Sequence, residues 1–135
     1  YEINYRDWSS DVCSSDLRLI EASATKGDFF LKTLRERLAS LPVVADVRRK
    51  GLLMGVEFVK DKATRDPFEP KERICARIAE YCFDRGVLLV SGITGSHDGV
   101  VGDTIQISPP FVIDEKDMRT VAEILHAAIC NILVV

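Results

Sequence analysis

The sequence predicts an α+β domain: a small mixed β-sheet with helices packed mainly on one face. Three observations predict it. Apolar residues recur at three- and four-residue steps in three segments. Short apolar runs, bounded by glycine or proline, lie between those segments. The resulting order is helix, strand, strand, helix, strand, strand, helix, with no internal repeat and no low-complexity stretch.

The first helix is expected from about Arg18 to Ser40, with Ile20, Phe30, Leu31, Leu34, Leu38 and Leu41 on its apolar stripe. Gly27 weakens its middle by about 1 kcal/mol relative to alanine, and Pro42 ends it. Val43–Arg48 reads as a short strand. Gly51–Lys60 reads as a stronger one, apolar enough to be buried on both faces. Arg49-Lys50-Gly51 suits a tight hairpin, with Gly51 supplying a positive φ. Asp61–Pro70 is polar, holds two prolines and reads as a loop. The second helix should follow Glu69, with Pro70 at its first position. Its buried face is Ile74, Cys75, Ile78, Tyr81 and Cys82, and Arg85-Gly86 forms its C-terminal cap. Val87–Val90 reads as a buried strand, Ser91–Gly102 as a glycine-rich loop, and Thr104–Ser108 as a strand stopped by Pro109-Pro110. Asp114 caps the last helix, which has acids in its first turn. Its buried face is Met118, Val121, Leu125, Ala128, Ile129 and Ile132.

With 135 residues, 47% hydrophobic and 29% charged, the chain suits one globular domain. No apolar run reaches the ~18 residues of a membrane span. A net charge of -3 gives no electrostatic pull toward nucleic acid or an anionic membrane. That charge sits in residues 1–17, where Arg6 faces Glu2, Asp7, Asp11 and Asp16; the rest of the chain is balanced. Residues 7–17 show neither strand alternation nor a helical stripe. Their back-translation fits, in one frame, a string that looks like a common sequencing-library adapter. The expected organisation is therefore a non-native, disordered tail over 1–17 and one domain over 18–135, with natural sequence lost upstream. A polar, disordered natural N-terminus is the alternative.

Taken alone, the residues do not specify a reaction. Cys75 and Cys82 lie seven apart on one helix face, and with no CxxC and no paired histidine they read as buried, reduced thiols rather than zinc ligands. Reduced cysteines fit a cytoplasmic location. His97 reads as a solvated loop residue and His126 as surface or interface. Gly92, Gly95, Gly99 and Gly102 precede a strand, whereas a phosphate loop feeds a helix N-terminus. A loop that moves over a pocket is the better reading. Arg48-Arg49-Lys50 reads as a solvated turn.

The run Val47-Arg-Arg-Lys-Gly-Leu-Leu-Met-Gly-Val-Glu57 resembles the small-domain hairpin of class III pyridoxal-phosphate aminotransferases, whose usual pattern there is VRGxGLMxGxE. Arg49 stands where glycine is common. Four further segments match in order: Val59–Phe68, Arg85–Leu89, Gly102–Pro110, and Phe111–Glu115 before a final helix. The stretch from Ser91 to Asp103 looks like a long-loop subgroup. The resemblance covers about residues 18–135.

The resemblance implies the C-terminal small domain of a fold-type I enzyme, usually a homodimer. Such enzymes move an amino group between an amine or amino acid and a keto acid or aldehyde, using pyridoxal 5'-phosphate held by a lysine. In the family, that lysine, the aspartate on the cofactor ring and the phosphate site belong to the large domain. Lys26, Lys32, Lys50, Lys60, Lys62, Lys71 and Lys116 match none of them, so the chain is expected to be inactive alone. The domain would pack on the missing large domain and shape the substrate side of the pocket, with Val90, Ser91, Gly92 and Gln106 as pocket candidates. Many relatives carry an arginine where Val90 stands, and others one where Gln106 stands. Carboxylate capture needs the guanidinium fork, so the acceptor's carboxylate is expected to be held by a large-domain or loop group. The rival readings are a free-standing ligand-binding module, with residues 91–103 holding a small ligand or peptide, and a dimerisation domain. An isomerase or decarboxylase of the same fold type stays open.

Overall fold

A computed structural model describes residues 18–91 and 103–133. Helix α1 spans Leu19–Leu38, β1 Val44–Lys50 and β2 Leu53–Phe58. A 3-10 turn at Pro70–Glu72 leads into α2 at Ile74–Phe83. Strands β3 (Val90–Ser91) and β4 (Asp103–Ile107) precede α3 (Glu115–Leu133).

The α+β class expected from the sequence is the one found. Within it the sheet is antiparallel throughout rather than mixed, in the order β1-β2-β4-β3. The β1–β2 connection explains part of this. Lys50 pairs with Leu53, leaving only Gly51 and Leu52 as the loop. Two residues can join only antiparallel neighbours. Gly51 takes φ 58°, as expected of it. Arg48, Arg49 and Lys50 belong to β1 itself, so the basic triplet is not a turn.

The helices cover one face of the sheet. Met54, Val56 and Phe58 of β2, with Ile105 and Ile107 of β4, are buried against Phe30, Leu34 and Leu38 of α1, Ile74 and Ile78 of α2, and Met118, Leu125 and Ile129 of α3. Leu53, Gly55 and Glu57 point the other way, so β2 alternates and is not buried on both faces. The expectation for Val87–Val90 also fails. The strand there is only Val90–Ser91; Leu89 is buried, but Leu88 is 80% and Val90 56% exposed. No element of the described chain covers the outer face, so the alternate side chains of both runs stay in solvent. Ile20, placed on the first helix's stripe, is 68% exposed, because the buried face of α1 begins at Gly27.

Gly27 is required by contact rather than by flexibility. A Cβ built there would lie 2.2 Å from the carbonyl oxygen of Gly51, so the helix backbone rests on the hairpin turn. Arg49 fastens the same junction, its guanidinium bonding the Asp28 carboxylate and the Gly51 carbonyl. Arg35 donates twice, at 3.2 and 2.9 Å, to the Val47 carbonyl of edge strand β1.

The second helix starts later than expected. Pro70 opens the 3-10 turn, whose first residue is held by a capping box between Glu69 and Glu72. Arg73 then turns left-handed (φ 49°) before α2 begins. At α3, the Asp114 carboxylate accepts from the Asp117 N–H at 2.8 Å, the N-cap expected of it. Val121 and Ile132 of α3 are only partly buried. No helix of the described residues is long and apolar enough to cross a membrane.

Cys75 and Cys82 are buried, free thiols on the α2 core face. Burial pushes the Cys75 thiol well up, and the carboxylate of Asp103 adds to it. Burial also pushes Cys82 up, to about 11, against an opposing pull from Arg85.

Gly27→Ala should gain about 1 kcal/mol of helix propensity. It should lose more through overpacking, which costs about 1–3 kcal/mol and lies at the upper end when two backbones must part. A lowered midpoint in urea is expected; a raised one would overturn the contact argument. The raised thiols are neutral in the fold and ionise first in the unfolded chain. Their stabilisation is therefore complete below their ordinary value near 9 and is lost as pH climbs toward 11. A Cys75→Ala/Cys82→Ala variant should show a shallower fall of Tm across that window than the parent sequence, measured by circular dichroism.

Candidate functional site on the open face of the sheet

Register assembles the site. Val90 pairs with Gln106, Gln106 with Gly55, and Gly55 with Arg48. One row thus crosses β3, β4, β2 and β1. Because side chains alternate along a strand, this row points away from the buried Met54, Val56, Ile105 and Ile107. Val90 and Gln106, 16 residues apart in sequence, are cross-strand partners on the bare face. Ser91 pairs with Ile105 at the exposed sheet edge. Gly92 lies outside the described residues, as do His97 and the rest of the glycine loop.

The row borders a cleft of about 300 Å³ lined by Arg48, Arg49, Lys50, Leu53, Met54, Gly55, Thr104 and Gln106. Its lining holds three bases and no carboxylate. Gln106 donates from Nε2 to Ser108 Oγ at 2.9 Å. Arg48 Nη1 donates to Glu57 at 2.7 Å and to Asp46 at 3.2 Å. The bond to Glu57 holds the guanidinium more firmly protonated than usual; partial burial opposes this and Asp46 reinforces it. A Cβ built at Gly55 would lie 3.6 and 3.7 Å from Cγ and Nε of Arg48, so the arginine stem runs flat over a residue with no side chain. The sequence reading missed Arg48. Its signal was available only as one member of the hairpin motif, and its place in the row needs the register.

Two other clefts lie on the helix side of the molecule. One, of about 410 Å³, is framed by Arg85–Leu89, Pro109-Pro110 and the start of α3. The other, of about 300 Å³, lies between α1 and residues 112–118. There Lys26 Nζ donates to the Phe111 carbonyl at 2.8 Å. His126 is partly buried, with its ring nitrogens 3.8 and 3.9 Å from Cys130 Sγ. No three potential metal ligands gather among the described residues.

Pyridoxal phosphate is held through a lysine, so the surroundings of the lysines bear on where it could bind. A lysine that condenses with a carbonyl cofactor works in a water-poor pocket. None of the chain's lysines is buried. Lys50 and Lys26 border clefts, but Lys50 is exposed and Lys26 is committed to a backbone carbonyl.

Comparison with known proteins fits this geometry. The pattern of the family "Aminotransferase class-III" matches residues 13–129, beginning slightly ahead of the boundary expected at residue 18. An uncharacterized aminotransferase of Schizosaccharomyces pombe is 32% identical over 113 residues, which are 84% of this chain and 24% of the relative. An alanine/serine racemase of Pyrococcus horikoshii is 33% identical over 115 residues, 85% of this chain and 22% of the relative. The solved structure of a transaminase from the marine bacterium Virgibacillus superposes with a TM-score of 0.80 at 28% identity, over 90% of this chain and 26% of that one. The chain thus spans about a quarter of the length of the relatives it matches. It belongs to the class III aminotransferase family.

Proposed function

We propose that the chain is the C-terminal small domain of a pyridoxal-phosphate-dependent aminotransferase. The parent moves an amino group between an amine or amino acid and a keto acid or aldehyde. The observation that carries this reading is the family match over nearly the whole chain by a segment covering only a quarter of its relatives. The cofactor, when bound, supplies the electron sink for labilising the substrate's Cα–H bond. The chain's own part is to pack on the rest of the enzyme and to form one wall of the substrate pocket with Val90, Gln106 and, beyond the described residues, Gly92, while Ser91, paired with Ile105, stands at the sheet edge on the opposite face from that row. A wall of this kind excludes water and orients the substrate. The parent acts as a homodimer in the cytoplasm. The racemase among the relatives makes transfer against racemisation the first distinction to draw in the parent.

On this reading the segment is inactive alone, because the cofactor lysine lies in the missing part. The bare apolar surface of Leu53, Leu88 and Val90 fits a face covered in a longer protein.

Incubating the chain with pyridoxal phosphate, reducing with borohydride and mapping peptides by mass should show scattered, substoichiometric labelling of lysines and no transamination. Stoichiometric labelling of one lysine together with turnover would overturn the inactive-fragment reading. The bare apolar surface also predicts concentration-dependent self-association in sedimentation velocity. A monomer at every concentration would argue that no missing partner covers it.

A further inference from the structure

The open edge of one guanidinium points to a carboxylate subsite. Arg48 spends only Nη1 on its two acidic neighbours, since Glu57 and Asp46 both bond that one nitrogen. Among the described residues, neither Nε nor Nη2 has a hydrogen-bond partner. These two form the parallel pair of donors that takes a carboxylate in bidentate fashion. The side chain is about half exposed, at 50%. Its Nε lies over Gly55, where no side chain screens it. Glu57 and Asp46 balance the charge of the guanidinium without lining the cleft, whose lining holds Arg49 and Lys50 and no carboxylate. Arg49 cannot serve in its place, because its guanidinium is turned to Asp28 and to the Gly51 carbonyl. Gln106, one strand away from Gly55, supplies an amide on the same row.

We propose that Arg48 is a carboxylate-binding residue of this domain. Glu57 and Asp46 fix its guanidinium through Nη1, and the Nε–Nη2 edge receives a monocarboxylate in the cleft beside Gly55 and Gln106. In the parent the carboxylate would be that of the keto acid acceptor, a role that rests on the aminotransferase reading. The grip then comes from strand β1 rather than from the large-domain or loop group expected from the sequence. It also accounts for an enzyme of this kind working without arginine at Val90 or Gln106. No covalent step is involved.

The test uses the chain as it stands, with propionate as probe and propionamide as its uncharged counterpart. In ¹H–¹⁵N spectra, propionate should move the Arg48 Nε–Hε signal and the backbone amides of Gly55 and Gln106 along one saturable isotherm. A dissociation constant on the order of 10 mM is expected for a single, partly exposed charge-assisted pair. Propionamide should leave these signals in place. Arg48→Lys should weaken the isotherm read at Gly55 and Gln106 about ten-fold, since lysine lacks the fork. Arg49→Lys should leave it unchanged. The wild-type Arg48 signal decides the matter even if a variant unfolds. No saturable movement, equal movement with propionamide, or an undiminished isotherm in a folded Arg48→Lys protein would each overturn the proposal. A flat isotherm would remove the subsite and leave family membership standing. A parent without aminotransferase activity would remove the acceptor and leave the isotherm standing.

Discussion

A four-stranded antiparallel sheet with helices on one side only is the constraint on which this molecule depends. Burial of Val56, Phe58 and Ile105 against Phe30, Ile78 and Leu125 holds the layers together. The driving force is removal of apolar surface from water, and it acts on the covered face alone. The other face follows from the same fact. Because side chains alternate along each strand, ordering one set inward sets Val90, Gln106, Gly55 and Arg48 outward in a row. Core and candidate site are two sides of one sheet, and neither can slip in register without the other.

The hairpin is the second place where stability and site meet. The helix α1 backbone rests on the turn because both Gly27 and Gly51 lack side chains at the contact. Arg49, the departure from the usual family pattern, ties the turn to Asp28. That commitment turns Arg49 toward the helix, while its neighbour Arg48, one residue earlier on the strand, faces the open side. Adjacent strand positions with identical side chains thus have unlike roles: one secures the layer contact, and the other presents a guanidinium edge to solvent.

The charges follow local chemistry more than long-range design. Glu57 and Asp46 approach Arg48 from one direction, so the guanidinium is both neutralised and oriented. Ion pairs this exposed contribute little to stability, and their effect is to fix geometry. The thiols show the opposite case. Cys75 and Cys82 titrate far from their ordinary range because the core excludes water, and they behave as small apolar groups. Nothing in their surroundings favours the thiolate strongly enough for chemistry.

By itself the sequence determined the helices, the Gly51 turn, the Asp114 cap and the burial of Cys75 and Cys82. Each depends on neighbours within a few positions, through helical periodicity, a positive φ or a local hydrogen bond. The motif run from Val47 to Glu57, with the four segments that follow it in order, also disclosed the family, and the absence of the arginine that relatives carry there marked Val90 and Gln106 as positions of interest. Tertiary structure alone decided that Gly51–Lys60 and Val87–Val90, apolar on both faces as written, would be covered on one. It alone decided that Pro70 opens a separate turn, that Gly27 is a contact rather than a weak point, and that Arg48 shares a row with Gln106. The reason is that strand pairing joins residues far apart in the chain. Which face of a strand is wet depends on what packs against it, and no local pattern of side chains carries that information.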